Sequence, residues 1–413
     1  MNVMERESSV EPGPLSKGRL SEGLLGDAED FSLVAGGPLY QLLLRLKLVR
    51  PPLDRVQWRI VVITTIVWAP LLLLTALSGR VTSGVQIPFL RDFEAQSRFL
   101  LGLPLLIAAE LTVHRGIRQL MLQFLDRRII KPAAMSRFDA CIASALRLRN
   151  STTAELVLLA IVIIGGNFWW RGVLAAHTAT WYTVAVGNKQ ALSPAGYWYL
   201  FVSLPIAQFI GLRWYFRLCI WARMLWQISR LDLNLFASHP DCRCGLGFLG
   251  LIVPTLAPFI LAHSVFLSGY VANRILYEGI KLPDHGIEIA VMAIFLFLLT
   301  LGPLFVFTPA LLRERKAAVL SYGPLASEYV DEFEKKWIHG QHPADEALVG
   351  SGDIQSLADL ANSYDVVQSI VPFPFGKENL VSLAVLILLP LLPLLLTMFS
   401  ARELAERLLK VLF

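Results

Sequence analysis

Five polar side chains fall inside apolar stretches of this sequence: Glu110, His114, Asn167, Arg213 and His263. A charge in such a place costs a few kcal/mol or more unless it is paired or hydrated, so each ionisable group there asks for a partner or a function. Glu110 lies roughly 16 Å along its stretch, about eleven residues at 1.5 Å each. His114 follows one turn later on the same face. Arg213 falls at a similar depth in another stretch, which predicts a Glu110–Arg213 pair. Such a pair can relay protons or ions, or it can be a structural ion pair, with Arg213 also able to snorkel to the headgroups. His263, whose imidazole can titrate near neutral pH, and Asn167 are the corresponding groups in the other half, where bonding to a neighbouring helix is the simpler role. Glu155 reads differently, because Thr152-Thr153-Ala154-Glu155 has the pattern of a capping box and accounts for a carboxylate at the membrane edge.

The densest polar motif is DLNLFASHPDCRCGLGFLG, Asp232 to Gly250. His239, Asp241, Cys242 and Cys244 are residue types that bind zinc, but Cys-Arg-Cys is tighter than the usual spacing and no second Cys/His pair follows. The motif reads more simply as a chain break that caps the next helix, with His239 and Asp241 bonding backbone groups. Its glycines lack the preceding strand of a dinucleotide fold. No metal and no cofactor is expected.

Composition decides which elements must hold these groups. The chain has 413 residues, 55% hydrophobic and 17% charged, with mean hydropathy +0.57, whereas soluble domains are roughly 25% charged. A helix needs about 20 mostly apolar residues to cross a bilayer. Seven stretches qualify: Trp58 to Gly79, Phe99 to Gln119, Thr152 to Leu174, Ala195 to Trp214, Leu246 to Tyr270, Ile287 to Leu312 and Leu380 to Phe399. The last contains Pro390 and Pro393 and can be kinked or half-inserted, leaving six spans. The expected fold is therefore an all-α polytopic helix bundle, with residues 58–312 as a six-span membrane core.

The polar segments complete the layout. Residues 1–37 carry no apolar core and read as a disordered tail, and 38–57 as an amphipathic juxtamembrane helix, lying on the membrane or packed against the bundle. Residues 313–379 form an acidic helical hairpin, Leu311 to Ile338, interrupted near Gly323-Pro324, and Asp353 to Ile370; 380–413 hold the last span and an amphipathic C-terminal helix. With alternating spans, 27 of the 37 Lys and Arg residues fall on one side, which predicts a cytoplasmic N-terminus. Cys141, Cys219, Cys242 and Cys244 all lie on that side or near it, and four free thiols are expected. The aromatic residues Trp169, Trp170, Tyr197, Trp198, Tyr199 and Trp221 read as interfacial belts. No cluster suggests nucleic acid.

The run RLDLNLFASHPDCRCGLGFLG, together with DLANSYDVVQSIVPFPFGKENL before LLPLLPLLLTMF, resembles an uncharacterised family of bacterial multi-pass integral membrane proteins. The resemblance covers most of the chain beyond about residue 40 and implies a bacterial cytoplasmic membrane, with no particular activity. Three functions are open to such a chain. A channel or transporter for a small ion or solute would use the polar groups at depth. A non-catalytic sensor or assembly subunit would act through 313–379 on a partner protein or a second copy. A membrane enzyme would need His239 and Asp241 as its site, and no hydrolase or metalloprotease signature accompanies them, so an enzyme is not expected.

Overall fold

The long apolar blocks fold as helices because a chain in hydrocarbon must satisfy its N–H and C=O groups within itself. The computed structural model describes residues 31–50, 53–175, 180–186, 189–343 and 346–398, with backbone alone at 167–175, 185–186 and 189–190. Its helices are α1 Pro38–Arg45, α2 Val56–Leu77, α3 Phe93–Asp126, α4 Met135–Arg149, α5 Thr152–Ala175, α6 Pro194–Ile228, α7 Ala257–Glu278, α8 Leu282–Thr300, α9 Thr308–Phe333, α10 Asp353–Gln368 and α11 Lys377–Thr397. Between α5 and α6 lies an antiparallel hairpin, β1 Thr183–Val186 and β2 Lys189–Leu192, with Thr183 opposite Leu192. Six helices, α2, α3, α6, α7, α8 and α11, are each long and apolar enough to cross a membrane. The α4–α5 pair is long and apolar enough only when its two helices are taken together, and its 44° bend is that of a broken span or a re-entrant loop. The protein is a multi-pass integral membrane helix bundle. Leu77, Ile163, Phe201 and Val291 stand exposed on its outer faces, as lipid-facing residues must, while Phe99, Phe124, Trp214 and Phe259 are buried within.

Proline sets where the helices depart from regularity. Pro254 and Pro258 remove backbone donors, and the expected fifth span is accordingly split into a 3-10 turn at Gly247–Leu251, a helical turn at Ile252–Thr255 and then α7. The expected sixth span ends early, at Thr300, where Gly302-Pro303 opens a second 3-10 turn. In α11 the α-helix stops at Leu388 and continues as a 3-10 helix over Leu389–Thr397, around Pro390 and Pro393. The Ser264 hydroxyl donates to the Ile387 carbonyl and the Ser268 hydroxyl to that of Pro390, at 2.8 Å for the second, so α7 satisfies carbonyls that this irregular end leaves over.

Three sequence expectations are corrected at the polar elements. Phe31, Leu33 and Val34, placed in the disordered tail, are buried, because this short apolar run packs under α3 and α4 rather than entering water. The α1 helix stops at Arg45, short of Val49, and the chain turns through a positive φ at Lys47. The α9 helix runs unbroken through Pro324. There the neighbouring Leu320 is exposed, so water can take up the carbonyl that proline leaves without a donor. Residues 1–30 and the expected C-terminal helix, Ala401 to Phe413, lie outside the described residues. Trp221 is buried instead of forming part of a belt, as is Tyr199.

Candidate functional site

The buried charges around α6 form two neighbouring sets of ion pairs, centred on Glu110 and Glu155, with partners other than those depth alone predicts. Glu110 on α3 receives Arg217 on α6, with Nη1 at 2.9 Å from Oε1, and Arg59 from the first turn of α2, with Nη2 at 2.6 Å from Oε2. Arg213 instead meets Glu155 at 3.1 Å. The expected Glu110–Arg213 pair is thus corrected by one helical turn. Helices α3 and α6 begin several residues before their first long apolar run and carry π turns at Ser97–Gly102 and Tyr199–Ser203, so counting from the apolar edge misplaces the depth. Glu155 is a cap, but of a different helix. Its Oε2 accepts the Leu39 N–H at 2.8 Å in the first turn of α1, while the Asn150 side chain accepts the Gly37 N–H at 3.1 Å. A carboxylate suits that helix end. His114 stands apart from the network, with Nδ1 at 2.8 Å from the Ser32 hydroxyl.

His263 belongs to a second place. Its Nδ1 lies 2.8 Å from the Phe259 carbonyl and its Nε2 lies 2.7 Å from the Tyr215 hydroxyl. A carbonyl only accepts, so Nδ1 carries the proton and, in the neutral ring, Nε2 accepts from tyrosine. Both side chains line a cavity of about 450 Å³ between α3, α5, α6 and α7, together with Gln208, Arg98 and Glu94. Arg98 donates to Glu94 and, at 2.8 Å, to the Tyr199 hydroxyl. Gly165 and Gly211 make room on the wall, for a Cβ at either would meet nothing within 4 Å. Asn167 lies on α5, and its side chain is outside the described residues.

The cavity and the ion network are separate. A cleft of about 150 Å³ reaches Arg59, Glu110, Arg213 and Arg217, and it shares no lining residue with the cavity at His263. They lie on opposite faces of α6: Ala207, Gly211 and Tyr215 face one, Ile206, Ile210 and Arg213 the other. Buried Trp214 is fixed beside them by its indole N–H, which donates to the Leu106 carbonyl at 3.0 Å.

In the loop motif, Asp241 acts on backbone. Its carboxylate accepts from Arg243 N at 2.8 Å, Gly245 N at 3.1 Å and Gly247 N at 2.9 Å, and His239 Nδ1 stands 2.9 Å away. Burial opposes its charge, but these three N–H groups outweigh burial and hold the carboxyl below its ordinary range. Cys242, Cys244 and Gly245 all have positive φ, which is the tight reversal that the carboxylate stabilises. Cys244 is fully buried, which pushes its thiol up to about 12, whereas Cys242 is half-buried and Val371 N donates to its backbone carbonyl. All four cysteines are free thiols. Among the described residues no three His, Cys, Asp or Glu side chains converge on a common point.

Asp241→Ala is expected to cost about 1–3 kcal/mol, the penalty for N–H groups left without an acceptor. Because the folded carboxyl titrates below the unfolded one, this stabilisation is complete above the ordinary aspartate range and fades as pH falls through the lower folded value. Thermal melts of wild type and variant should converge on acidification; a gap independent of pH would contradict this account.

Sequence reasoning missed Arg59 and Arg217, which it counted as loop charges, and it missed Tyr215, Arg98 and Glu94. The one signal for Arg217 was its spacing of four residues from Arg213 on the same helical face. The chain matches no described protein family, no curated protein and no solved structure.

Proposed function

We propose that the protein is a channel or transporter for a small ion or polar solute, which it binds in the cavity at His263. The observation that carries this reading is the cavity itself. Its volume of about 450 Å³ lies within the range of small-molecule sites, roughly 300–1,000 Å³, and it brings His263, Tyr215, Gln208 and the Arg98–Glu94 pair together among membrane-spanning helices. Polar groups at that depth are costly without a role. The excess of Lys and Arg on one side supports a cytoplasmic N-terminus, and the resemblance in the loop motif supports a bacterial cytoplasmic membrane.

Purified protein in liposomes should conduct or exchange at least one member of a panel of inorganic ions and small polar solutes. Gly211→Leu, which enters open space, should abolish that flux while leaving the folding stability within about 0.5 kcal/mol of wild type, the usual range for a substitution that disturbs no packed group. Permeability equal to that of empty vesicles across the panel would rule transport out.

A second reading rests on the segment outside the spans. Lys336, just beyond α9, meets Asp353 of α10 at 2.8 Å and Glu346 at 2.5 Å, yet Leu320 of α9 and Ile338 and Val349 of the connection stay exposed, Val349 by 91%. A sensor or assembly subunit would present such a hairpin to a partner protein or a second copy.

A further inference from the structure

The buried charges on the other face of α6 do not balance. Arg59, Arg213 and Arg217 are 2%, 7% and 5% exposed, and they are met by two carboxylates, Glu110 and Glu155. Arg149 adds a further guanidinium beside Glu155, Arg213 and Arg217, and it donates to the Ser32 carbonyl and the Asn150 side chain. The excess charge borders the 150 Å³ cleft, whose other walls are apolar: Leu39 and Leu43 of α1, Ile206, Phe209 and Ile210 of α6 among them. Among the described residues Arg59 Nε has no hydrogen-bond partner, although its side chain is buried and lines this cleft. A buried cation without an anion is unfavourable, and so is a buried N–H without an acceptor.

We propose that this cleft binds a phosphate group, held by Arg59, Arg213 and Arg217. Guanidinium forks match phosphate oxygens in pairs of parallel hydrogen bonds, and three forks arriving from α2 and two turns of α6 suit a tetrahedral group with several oxygens better than a planar one with two. The space is sufficient: 150 Å³ is about five times the roughly 30 Å³ that a water occupies in the liquid. The phosphate can come from a lipid headgroup, whose acyl chains would lie along Ile206, Phe209 and Ile210, or from free phosphate entering beneath α1. This site is independent of the solute cavity, since no lining residue is common to the two.

The test uses full-length protein, purified in detergent and stripped of lipid, with thermal midpoint followed during titration. The three probes are inorganic phosphate, dioctanoyl phosphatidylglycerol and, as the phosphate-free counterpart, dioctanoylglycerol. Stabilisation by phosphatidylglycerol alone assigns the site to a lipid headgroup, stabilisation by inorganic phosphate assigns it to the free ion, and either supports the proposal. Arg59→Lys keeps the charge beside Glu110 and loses the fork, and it should weaken binding about tenfold, since Lys does not replace a bidentate arginine. The Arg59→Gln, Glu110→Gln pair removes both charges of one ion pair together and should weaken binding at least as much. The proposal is overturned if neither phosphate compound exceeds dioctanoylglycerol, or if both variants bind as wild type does.

Discussion

Glu110→Ala should destabilise the protein by about 3–5 kcal/mol, the cost of removing one partner from a buried ion pair. Glu110 is the sole carboxylate within reach of both Arg59 and Arg217 among the described residues, at 2.6 and 2.9 Å. Without it two guanidiniums remain in a low-dielectric interior, and Arg217 keeps only its position over the Trp214 ring, 5.0 Å from the centroid. The damage lies in the unbalanced charge more than in lost packing. The Arg59→Gln, Glu110→Gln pair should therefore recover more than half of the loss, because Arg59→Gln removes a cation where the loss of Glu110 removes an anion. Thermal unfolding in one detergent, with wild type, single and double variants side by side, measures this. A double variant no more stable than Glu110→Ala would mean that the network acts through shape, not charge.

Gly269→Val should approach that loss by a different route. A Cβ at this position would collide with the Ser97 side chain and stand 2.7 Å from the Phe93 carbonyl oxygen, closer than real Cβ contacts allow. The second obstacle is backbone, so rotamer changes cannot relieve it. Helices α3 and α7 touch here because the glycine lets their backbones approach, the same device as small-residue packing in membrane helices generally. Overpacking typically costs about 1–3 kcal/mol, and a rigid backbone contact puts this site at the upper end. Gly286→Ala, at the start of α8 where a Cβ meets nothing within 4 Å, is the control and should be near neutral. Ser97→Ala should rescue Gly269→Ala only in part, since the Phe93 carbonyl remains. Full rescue, or a Gly286→Ala loss of similar size, would show that helix propensity rather than close approach decides.

Legibility differed between the two candidate sites. Glu110 and His263 stand out in the sequence because hydrocarbon makes any ionisable side chain conspicuous, and both prove to be buried and bonded. Their partners do not stand out. Arg59 lies three residues inside a helix start and Arg217 four beyond Arg213, so each reads equally well as a loop charge near a membrane edge. Tyr215 is aromatic within an aromatic-rich helix, and only its contact with His263 marks it.

The sequence by itself determined the class of this protein and the rough place of its six long apolar helices, because transfer of apolar side chains and backbone into lipid is a local free energy that accumulates residue by residue along one helix. It also determined the capping character of Asp241, which follows from hydrogen bonds to backbone two to six residues away. Only the tertiary structure decided that Glu155 caps α1 and holds Arg213, that Glu110 takes Arg59 and Arg217, and that His263 and Glu110 face different cavities across α6. Those outcomes depend on helix register and rotation. A π turn or a proline shifts both by a fraction of a turn, and side-chain packing between helices far apart in the chain then fixes them.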